Sequence, residues 1–128
     1  METNEYLIKL SEKYSKALVT GGAGFIGSHI CEEIVKSDIE VICLDDLSAG
    51  KEKNIDFLHS YSNFNFVKCD ISDKSALSDH FDGVDLVFHN AASKKNICID
   101  NPSRDLEVNA KGTLNLLELA VENNIQKF

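Results

Sequence analysis

A glycine-rich run at residues 20–27, TGGAGFIG, constrains this chain more than any other feature of its sequence. It follows a short apolar segment, residues 17–20, that predicts a buried strand, and it leads into residues 24–36, whose apolar positions recur at helical spacing. Early glycines in such a loop permit a tight turn, Gly24 lets main chain approach a ligand, and Gly27 lets the helix pack close to the sheet. Because a helix N-terminus attracts phosphate, we predict that this loop holds a pyrophosphate.

The loop fits two glycine patterns, Gly-x-Gly-x-x-Gly from Gly22 and Gly-x-x-Gly-x-x-Gly from Gly21, and the physical reasoning is the same for both. A Walker-type loop is excluded because no Gly-Lys-Ser/Thr follows. The alternative is a strand-to-helix turn without a ligand. The residues of the loop that we expect to contact a cofactor are Gly21, Gly24, Phe25, Ile26 and Gly27.

Strands and helices alternate along the rest of the chain. Further strands are predicted at residues 40–44, 64–69 and 84–89, and helices at 5–15, 51–60 and 73–81, the last capped by Ser72. Asp100-Asn101-Pro102 predicts the start of a long helix reaching about Asn123, and residues 125–128 resemble the start of another strand. The alternation predicts an α/β fold, a Rossmann-like doubly wound parallel sheet of about four strands in the order 3-2-1-4. We divide the chain into an amphipathic lead-in helix, residues 1–16, and a dinucleotide-binding domain, residues 17–128.

Composition narrows the function classes. A net charge of −8 over 128 residues argues against nucleic-acid and anionic-membrane partners, and no apolar run is long enough for a membrane span. The N-terminus is too polar for a signal peptide. The four cysteines, at 31, 43, 69 and 98, lack metal-ligand spacing, so we expect no metal and read them as buried apolar residues in a reducing cytoplasm.

An acidic residue, Asp45, ends the second predicted strand about 20 residues into the unit. A carboxylate there accepts hydrogen bonds from the adenosine ribose hydroxyls and repels a 2′-phosphate. No arginine lies in the glycine loop or directly after Asp45, so NAD is favoured over NADP as the cofactor. Asp46 is the neighbouring candidate, although the alternation of the strand favours Asp45.

With these two features in place, the chain resembles the extended short-chain dehydrogenase/reductase family, and within it the NAD-dependent nucleotide-sugar epimerases and dehydratases such as UDP-glucose 4-epimerase. The motifs that carry the resemblance are TGGAGFIGSHI (20–30), LDDLSAG (44–50), CDI (69–71), HNAAS (89–93) and VNAKGTLNLLELA (108–120). The resemblance implies that Asp70 and Ile71 contact adenine and that Ala91 and Ala92 line the cofactor. It also matches Lys94 to a cofactor-contacting lysine, although Lys94 and Lys95 could equally be a solvated pair.

Asn109 stands out in the last predicted helix because its spacing from Leu106 and Leu117 places it on the apolar stripe. A buried amide needs hydrogen-bond partners. The resemblance implies that Asn109 braces the active site, and the alternative is a satisfied polar residue of the core. Gly112, in the middle of the same helix, predicts close approach of a neighbouring element.

The resemblance also shows what the sequence lacks. The family's chemistry depends on a Tyr-x-x-x-Lys pair, and Leu10, Leu18 and Asn65 stand four residues after the tyrosines at 6, 14 and 61. We therefore predict no catalytic residue here, and read His89 as structural. We expect an N-terminal fragment, truncated before the catalytic pair and the substrate region, that binds NAD but is inactive alone.

Two alternatives to this function are a non-catalytic NAD-sensing module and a structural oligomerisation fragment without a ligand. A nucleotide-sugar substrate is expected only in the full enzyme. An unpaired edge on the fourth strand and an apolar flank of the last helix would favour a homo-oligomer.

Overall fold

A computed structural model describes residues 5–128 and contains a four-stranded parallel sheet in the order β3-β2-β1-β4. The strands are β1 (Lys16–Thr20), β2 (Glu40–Asp45), β3 (Phe64–Lys68) and β4 (Leu86–His89). In the centre of the sheet Leu18 of β1 pairs with Ile42 of β2 and with Val87 of β4. The predicted fold class and strand order are confirmed.

Helices cover both faces of the sheet, which makes it doubly wound. The predicted lead-in helix corresponds to α1 (Glu5–Lys13). Residues 1–4 of the predicted lead-in segment lie outside the described part of the chain. The remaining helices are α2 (Phe25–Val35), α3 (Lys74–Ser78), α4 (Lys95–Asp100), α5 (Pro102–Asp105), a π-helical segment (Leu106–Gly112) and α6 (Thr113–Glu122), with short 3-10 turns at Glu52–Asn54 and Asp56–Ser60. Among the described residues, no helix is long and apolar enough to cross a membrane.

Successive residues of each strand point to opposite faces, and each face has its own core. On one face Val19, Val41 and Cys43 pack with Ile34 and Val35 of α2. On the other face Leu18, Ile42 and Leu44 pack with residues of α3 and α6. The interiors of the central strands, residues 17–19 and 41–44, are therefore apolar on both faces, as expected for parallel strands covered on both sides.

Several local predictions are wrong in detail. Asp73, rather than Ser72, caps α3, because its carboxylate accepts the Ala76 N–H and Ser72 is engaged by Asp70. The lead-in helix is only partly packed: Leu10 is half-buried and Tyr14, just beyond α1, is buried, whereas Tyr6 is exposed. Cys98 is exposed, whereas the other three cysteines are buried as expected.

The long C-terminal helix occupies residues 102–122, as predicted, but it is not a regular α-helix. Asn101 caps it by accepting the Arg104 N–H, Pro102 stands in its first turn, and a π-helical segment interrupts it at Leu106–Gly112. A Cβ on Gly112 would lie 2.6 Å from Cδ1 of Ile71, so the expected close approach is present. The apolar spacing of the sequence did not predict the π segment.

The outer edge of β4 is partly covered. Lys127 forms a parallel bridge with Leu86, and the Val87 N–H donates to the Lys127 carbonyl at 2.9 Å. The predicted start of another strand at residues 125–128 is thus in place beside β4, and the expectation of a fully unpaired edge is wrong.

A hydrogen-bond chain through His89 joins β1, β4 and the C-terminal helix. The Thr20 hydroxyl oxygen accepts the N–H groups of Asn90 and Ala91, so its own proton is donated to Nδ1 of His89 at 2.7 Å. At the other end the Thr113 hydroxyl donates to a carbonyl in the π segment and accepts from Nε2–H of His89 at 2.8 Å. Both ends require the same neutral tautomer, with its proton on Nε2.

We predict that His89 keeps the Nε2–H tautomer and resists protonation in the folded protein. Burial lowers the pKa of His89 below its ordinary value of 6.5. Since the unfolded chain takes up this proton first, the free energy of unfolding should fall as the pH decreases below about 6.5 and through the lowered pKa. Nitrogen NMR of the imidazole ring checks the tautomer, and denaturation at several pH values, compared with His89→Gln, checks the stability.

Thr113→Val and Thr113→Ser form the matched pair for this prediction. Valine has the shape of threonine but leaves Nε2–H without its acceptor, which should lower the stability by about 1–3 kcal/mol, whereas serine keeps the hydroxyl. An Nδ1–H tautomer, or equal effects of the two substitutions, would contradict the assignment.

Candidate functional site

A pocket of about 300 Å³ opens at the carboxyl ends of the strands. This is the edge where ligands bind in doubly wound sheets, and the volume is at the lower end of the range for small-molecule sites. The predicted site residues that line it are Gly21, Gly24, Asp45, Asp46, Asp70, Ile71, Ala91, Ala92 and Lys94. Phe25, Ile26, Gly27 and Asn109 do not line it.

The glycine loop is shaped by close contacts between main-chain atoms. Gly21 has φ +65°, and a Cβ there would lie 2.8 Å from the Ala91 nitrogen. A Cβ on Gly27 would lie 2.1 Å from the Gly21 carbonyl oxygen. Residues 21 and 27 must therefore be glycine for the fold itself.

Gly24 differs from these two glycines. A Cβ on Gly24 would meet only the Gly21 carbonyl oxygen within 4 Å, at 3.2 Å, and Gly24 has an ordinary φ of −79°. The fold nearly tolerates a side chain there, yet the residue lines the pocket. The space beside Gly24 is thus available to a ligand.

The N-terminus of α2 presents its main chain beside this space. The N-cap is Gly24, which offers no side-chain acceptor, and the first helical bond runs from Ser28 N–H to the Gly24 carbonyl. The N–H groups of Phe25, Ile26 and Gly27 precede that bond and have no acceptor within the helix. The side chains of Phe25 and Ile26 are exposed, so these residues offer main-chain donors suited to an anion.

Two buried thiols support the loop from below. A Cβ on Gly22 would lie 2.4 Å from Sγ of Cys43 and 3.2 Å from Sγ of Cys31. The hydrogen bond with Cys31 and burial raise the pKa of the Cys43 thiol, which keeps it protonated. These cysteines act here as packing residues rather than as nucleophiles.

Asp45 ties the glycine loop to the end of β2. Its Oδ2 accepts the Ala23 N–H at 3.0 Å, and its Oδ1 accepts the Leu47 N–H at 2.8 Å. The side chain is only 7% exposed but lines the pocket. Because each carboxylate oxygen has two lone pairs, Asp45 keeps capacity for ligand hydroxyls while its orientation is held by main chain.

Asp46 and Asp70 form two copies of one local structure at the ends of β2 and β3. Asp46 Oδ1 accepts the N–H and hydroxyl of Ser48, and Asp70 Oδ1 accepts the N–H and hydroxyl of Ser72. In each copy the second oxygen faces the guanidinium of Arg104, at 3.5 Å for Asp46 and 2.6 Å for Asp70. Burial would raise the pKa of Asp70, but hydrogen bonds from Ser72 and Arg104 outweigh it and lower the pKa, so the carboxylate is ionised.

Sequence reasoning missed Arg104, which also lines the pocket. The sequence feature that could have identified Arg104 is its place in the first turn of a helix, where the helix dipole disfavours a cation. An arginine there requires acidic neighbours to offset the dipole. Without the fold, those neighbours could not be identified among residues of two other segments.

The structure corrects the prediction for Asn109. Its side chain is exposed, and it fastens the loop after Ala92, accepting the Ser93 N–H at 2.8 Å and donating to Ser93 Oγ and Asp105. The buried amide of this helix is Asn115, which donates to the Ile71 carbonyl at 2.9 Å. Leu106 and Leu117, which placed Asn109 on the apolar stripe, are themselves exposed, so spacing selected a face of the helix that is not buried.

Lys94 and the alanines line the opposite end of the pocket. Lys94 is exposed and stands at the N-cap of α4, a helix that the sequence did not predict. Ala91 is held by the Thr20 hydroxyl, and small side chains at 91 and 92 leave the pocket open. Among residues 5–128 no group of His, Cys, Asp and Glu side chains has the geometry of a metal site.

Comparison with known proteins agrees with this arrangement. The profile of the NAD dependent epimerase/dehydratase family matches residues 17–128. CDP-paratose 2-epimerase of Salmonella typhi is 39% identical over 113 residues, covering 85% of this chain and 33% of that protein.

Solved structures give the same result. An epimerase of Methanothermobacter thermautotrophicus is 38% identical with a TM-score of 0.83, over 94% of this chain and 36% of that one. UDP-glucose 4-epimerase of Thermus thermophilus in complex with NAD is 37% identical with a TM-score of 0.75, over 86% of this chain and 35% of that one. The chain therefore spans about a third of the length of the relatives it matches.

The family resemblance and its cofactor, NAD, are thus confirmed at the level of the family. Matches over almost the whole described chain, together with the glycine loop, the acidic strand ends and the strand order, lead to one conclusion: the chain belongs to the NAD dependent epimerase/dehydratase family.

Proposed function

We propose that this chain binds NAD and forms the cofactor-binding part of a nucleotide-sugar epimerase or dehydratase. The observation that carries the proposal is that Gly24, the N-cap of α2, lines the pocket and lies next to the first N–H groups of that helix. We assign this part of the pocket to the pyrophosphate. A residue without a side chain lets the main chain approach a phosphate closely, and the N-terminus of a helix attracts it.

The acidic end of the pocket is assigned to adenosine. Asp45 is oriented by two main-chain donors and keeps acceptor capacity for the ribose hydroxyls, and Asp70 and Ile71 lie beside it for the adenine. Arg104 offsets part of the charge of Asp46 and Asp70, whereas Asp45 forms no ion pair with a described residue, so its carboxylate disfavours a 2′-phosphate. The charge pattern supports NAD over NADP.

The nicotinamide half is assigned to the end lined by Ala91, Ala92 and Lys94, with Asn109 bracing that loop through Ser93. NAD bound here would supply the hydride acceptor for C4 of a nucleotide sugar in a complete enzyme. This chain's residues bind and orient the cofactor, and the chain holds no Tyr-x-x-x-Lys pair to move the sugar's hydroxyl proton.

A cytoplasmic location is part of the proposal, supported by the free cysteines.

We propose further that the chain associates with a second copy of itself. Leu114, Leu117 and Val121 share one face of α6 and are each between 44% and 79% exposed. A contiguous apolar stripe of this kind on a small domain marks a protein contact. The partly covered edge of β4 contributes less to this argument than the helix.

An alternative function, a regulatory module that senses NAD without catalysis, shares the cofactor site. The absence of the catalytic pair from the sequence is compatible with it, but no feature of the pocket favours it. The family membership of the chain supports the enzyme proposal instead.

Gly24→Ala should weaken NAD binding while the fold is kept. The new methyl group enters the pyrophosphate space, and the expected loss is about tenfold or more in the dissociation constant, about 1.4 kcal/mol. Calorimetric titration with NAD measures this loss, and the melting temperature of the ligand-free protein measures the fold. Unchanged NAD affinity would contradict the placement of the pyrophosphate.

Gly27→Ala is the contrasting variant, because its Cβ meets the Gly21 carbonyl rather than the pocket. It should lower the stability of the ligand-free protein by about 1–3 kcal/mol.

The wild-type chain should bind NAD more tightly than NADP. Failure of the wild-type chain to bind NAD at millimolar concentration would overturn the proposed function.

The chain alone should not epimerise a nucleotide sugar, because it has no Tyr-x-x-x-Lys pair. The check is an assay of the NAD-saturated protein with UDP-glucose and with UDP-N-acetylglucosamine. We expect no product above the blank. Turnover by the purified chain would show that another group moves the proton.

Changing Leu114 and Leu117 together to Gln should shift the protein towards the monomer, because both side chains are exposed on the apolar stripe. Light scattering over a range of concentrations measures the change. Lys111→Gln, an exposed position on the same helix, is the matched control and should leave the association unchanged. A monomeric wild-type protein at high concentration would contradict self-association.

A further inference from the structure

The guanidinium of Arg104 is almost fully committed to groups of the protein. Nη2 donates to Asp70 at 2.6 Å and to Asp46 at 3.5 Å, and Nη1 donates to the Ser72 hydroxyl at 3.1 Å and to Glu107 at 3.4 Å. Guanidinium has five N–H donors, so these four contacts leave only Nε–H. Arg104 therefore offers the pocket its positive charge and a rigid fork, and little donor capacity for a ligand.

The same count can be made for the acceptor sites of Asp70. Its two oxygens provide four lone-pair sites. Oδ1 accepts both the N–H and the hydroxyl of Ser72, and Oδ2 accepts Arg104, so three sites are used and one remains, on Oδ2. Asp70 lines the pocket and thus presents a single acceptor to whatever binds beside it.

Without Arg104, the number and orientation of the free acceptor sites on Oδ2 of Asp70 would not be fixed. The Ser72 turn holds only Oδ1, and removal of the guanidinium would leave Oδ2 with two free sites and the carboxylate with freedom to rotate. Arg104 itself is placed by the capped first turn of its helix, in which the Asn101 side chain accepts the Arg104 N–H at 3.1 Å. The guanidinium is about 29% exposed, so water competes only partly with its ion pairs.

We propose that Arg104 is a positioning residue that makes the adenine end of the pocket selective for a purine with an amino group. It restrains Asp70 so that the one free acceptor site of Oδ2 receives an N–H of the exocyclic amino group. A purine with a carbonyl at this place, such as hypoxanthine, would set two acceptors against each other. The proposal deepens the proposed function and rests on it.

The test compares binding of NAD with binding of nicotinamide hypoxanthine dinucleotide, in which a carbonyl replaces the amino group at C6 and N1 carries a proton. The wild-type protein should bind NAD at least about tenfold more tightly than the hypoxanthine analogue, a difference of about 1.4 kcal/mol. Arg104→Gln should reduce this preference to less than about threefold. It should also weaken both ligands together, because the charge near the cofactor changes.

Lys111→Gln makes the same change of net charge at an exposed site of the same helix. It should keep the wild-type preference between the two ligands. Arg104→Lys keeps the charge but loses the planar fork, so it should lose most of the preference while retaining more of the overall affinity than Arg104→Gln does. This variant tests the proposal independently if Arg104→Gln lowers the stability too far.

A measurement without any ligand tests the contact itself. Since the Arg104 guanidinium helps to lower the pKa of Asp70, carboxyl-carbon NMR of the ligand-free protein should show a higher pKa for Asp70 in Arg104→Gln. An unchanged pKa would overturn the proposed restraint.

The outcomes separate the two proposals. If the wild-type protein binds neither dinucleotide, the proposed function fails and the role of Arg104 fails with it. If the wild-type protein binds both equally, or if Arg104→Gln and Arg104→Lys keep the full preference, NAD binding stands and the role of Arg104 is overturned.

Discussion

The carbonyl oxygen of Gly21 sets the distance between the first strand and the first crossover helix, and the rest of the site depends on that distance. It accepts the Gly24 N–H at 3.1 Å, and a Cβ on Gly27 would lie 2.1 Å from it. The Gly21 N–H in turn donates to the Leu44 carbonyl of β2 at 2.8 Å. One residue thus joins the loop, the helix and the neighbouring strand, and its contacts leave no room for a side chain at residue 27.

Acidic side chains continue this arrangement along the strand ends. Asp45 holds the glycine loop through the Ala23 N–H, and Asp46 and Asp70 repeat one serine-bonded turn on adjacent strands. So many carboxylates at one edge would repel each other if they stood alone. Arg104 offsets part of that charge, and its own pKa is raised by the hydrogen bond with Asp70. The local charge balance therefore depends on a residue distant in sequence.

Much of the fold could be predicted from the sequence, because periodicity and glycine placement are local signals. The four strands, the loop geometry and Asp45 followed from such signals, whereas Asp70 was predicted from the family resemblance. Asn109 was misplaced because its apolar stripe, with Leu106 and Leu117, is exposed, and apolar spacing alone does not show which face of a helix meets the sheet. Arg104 was missed because its meaning lies in partners 34 and 58 residues away, on elements whose spatial order is known only from the fold.

Those separations have a consequence for how the domain assembles. The acidic residues at the ends of β2 and β3 lie in the first 70 residues of the chain. The arginine that pairs with them, Arg104, lies in the C-terminal helix. Contacts between distant segments form late, since the intervening chain must first be ordered. The carboxylates at the adenosine end of the pocket are therefore paired with Arg104 only after the last third of the chain has packed against the sheet. Formation of these ion pairs marks the completion of folding.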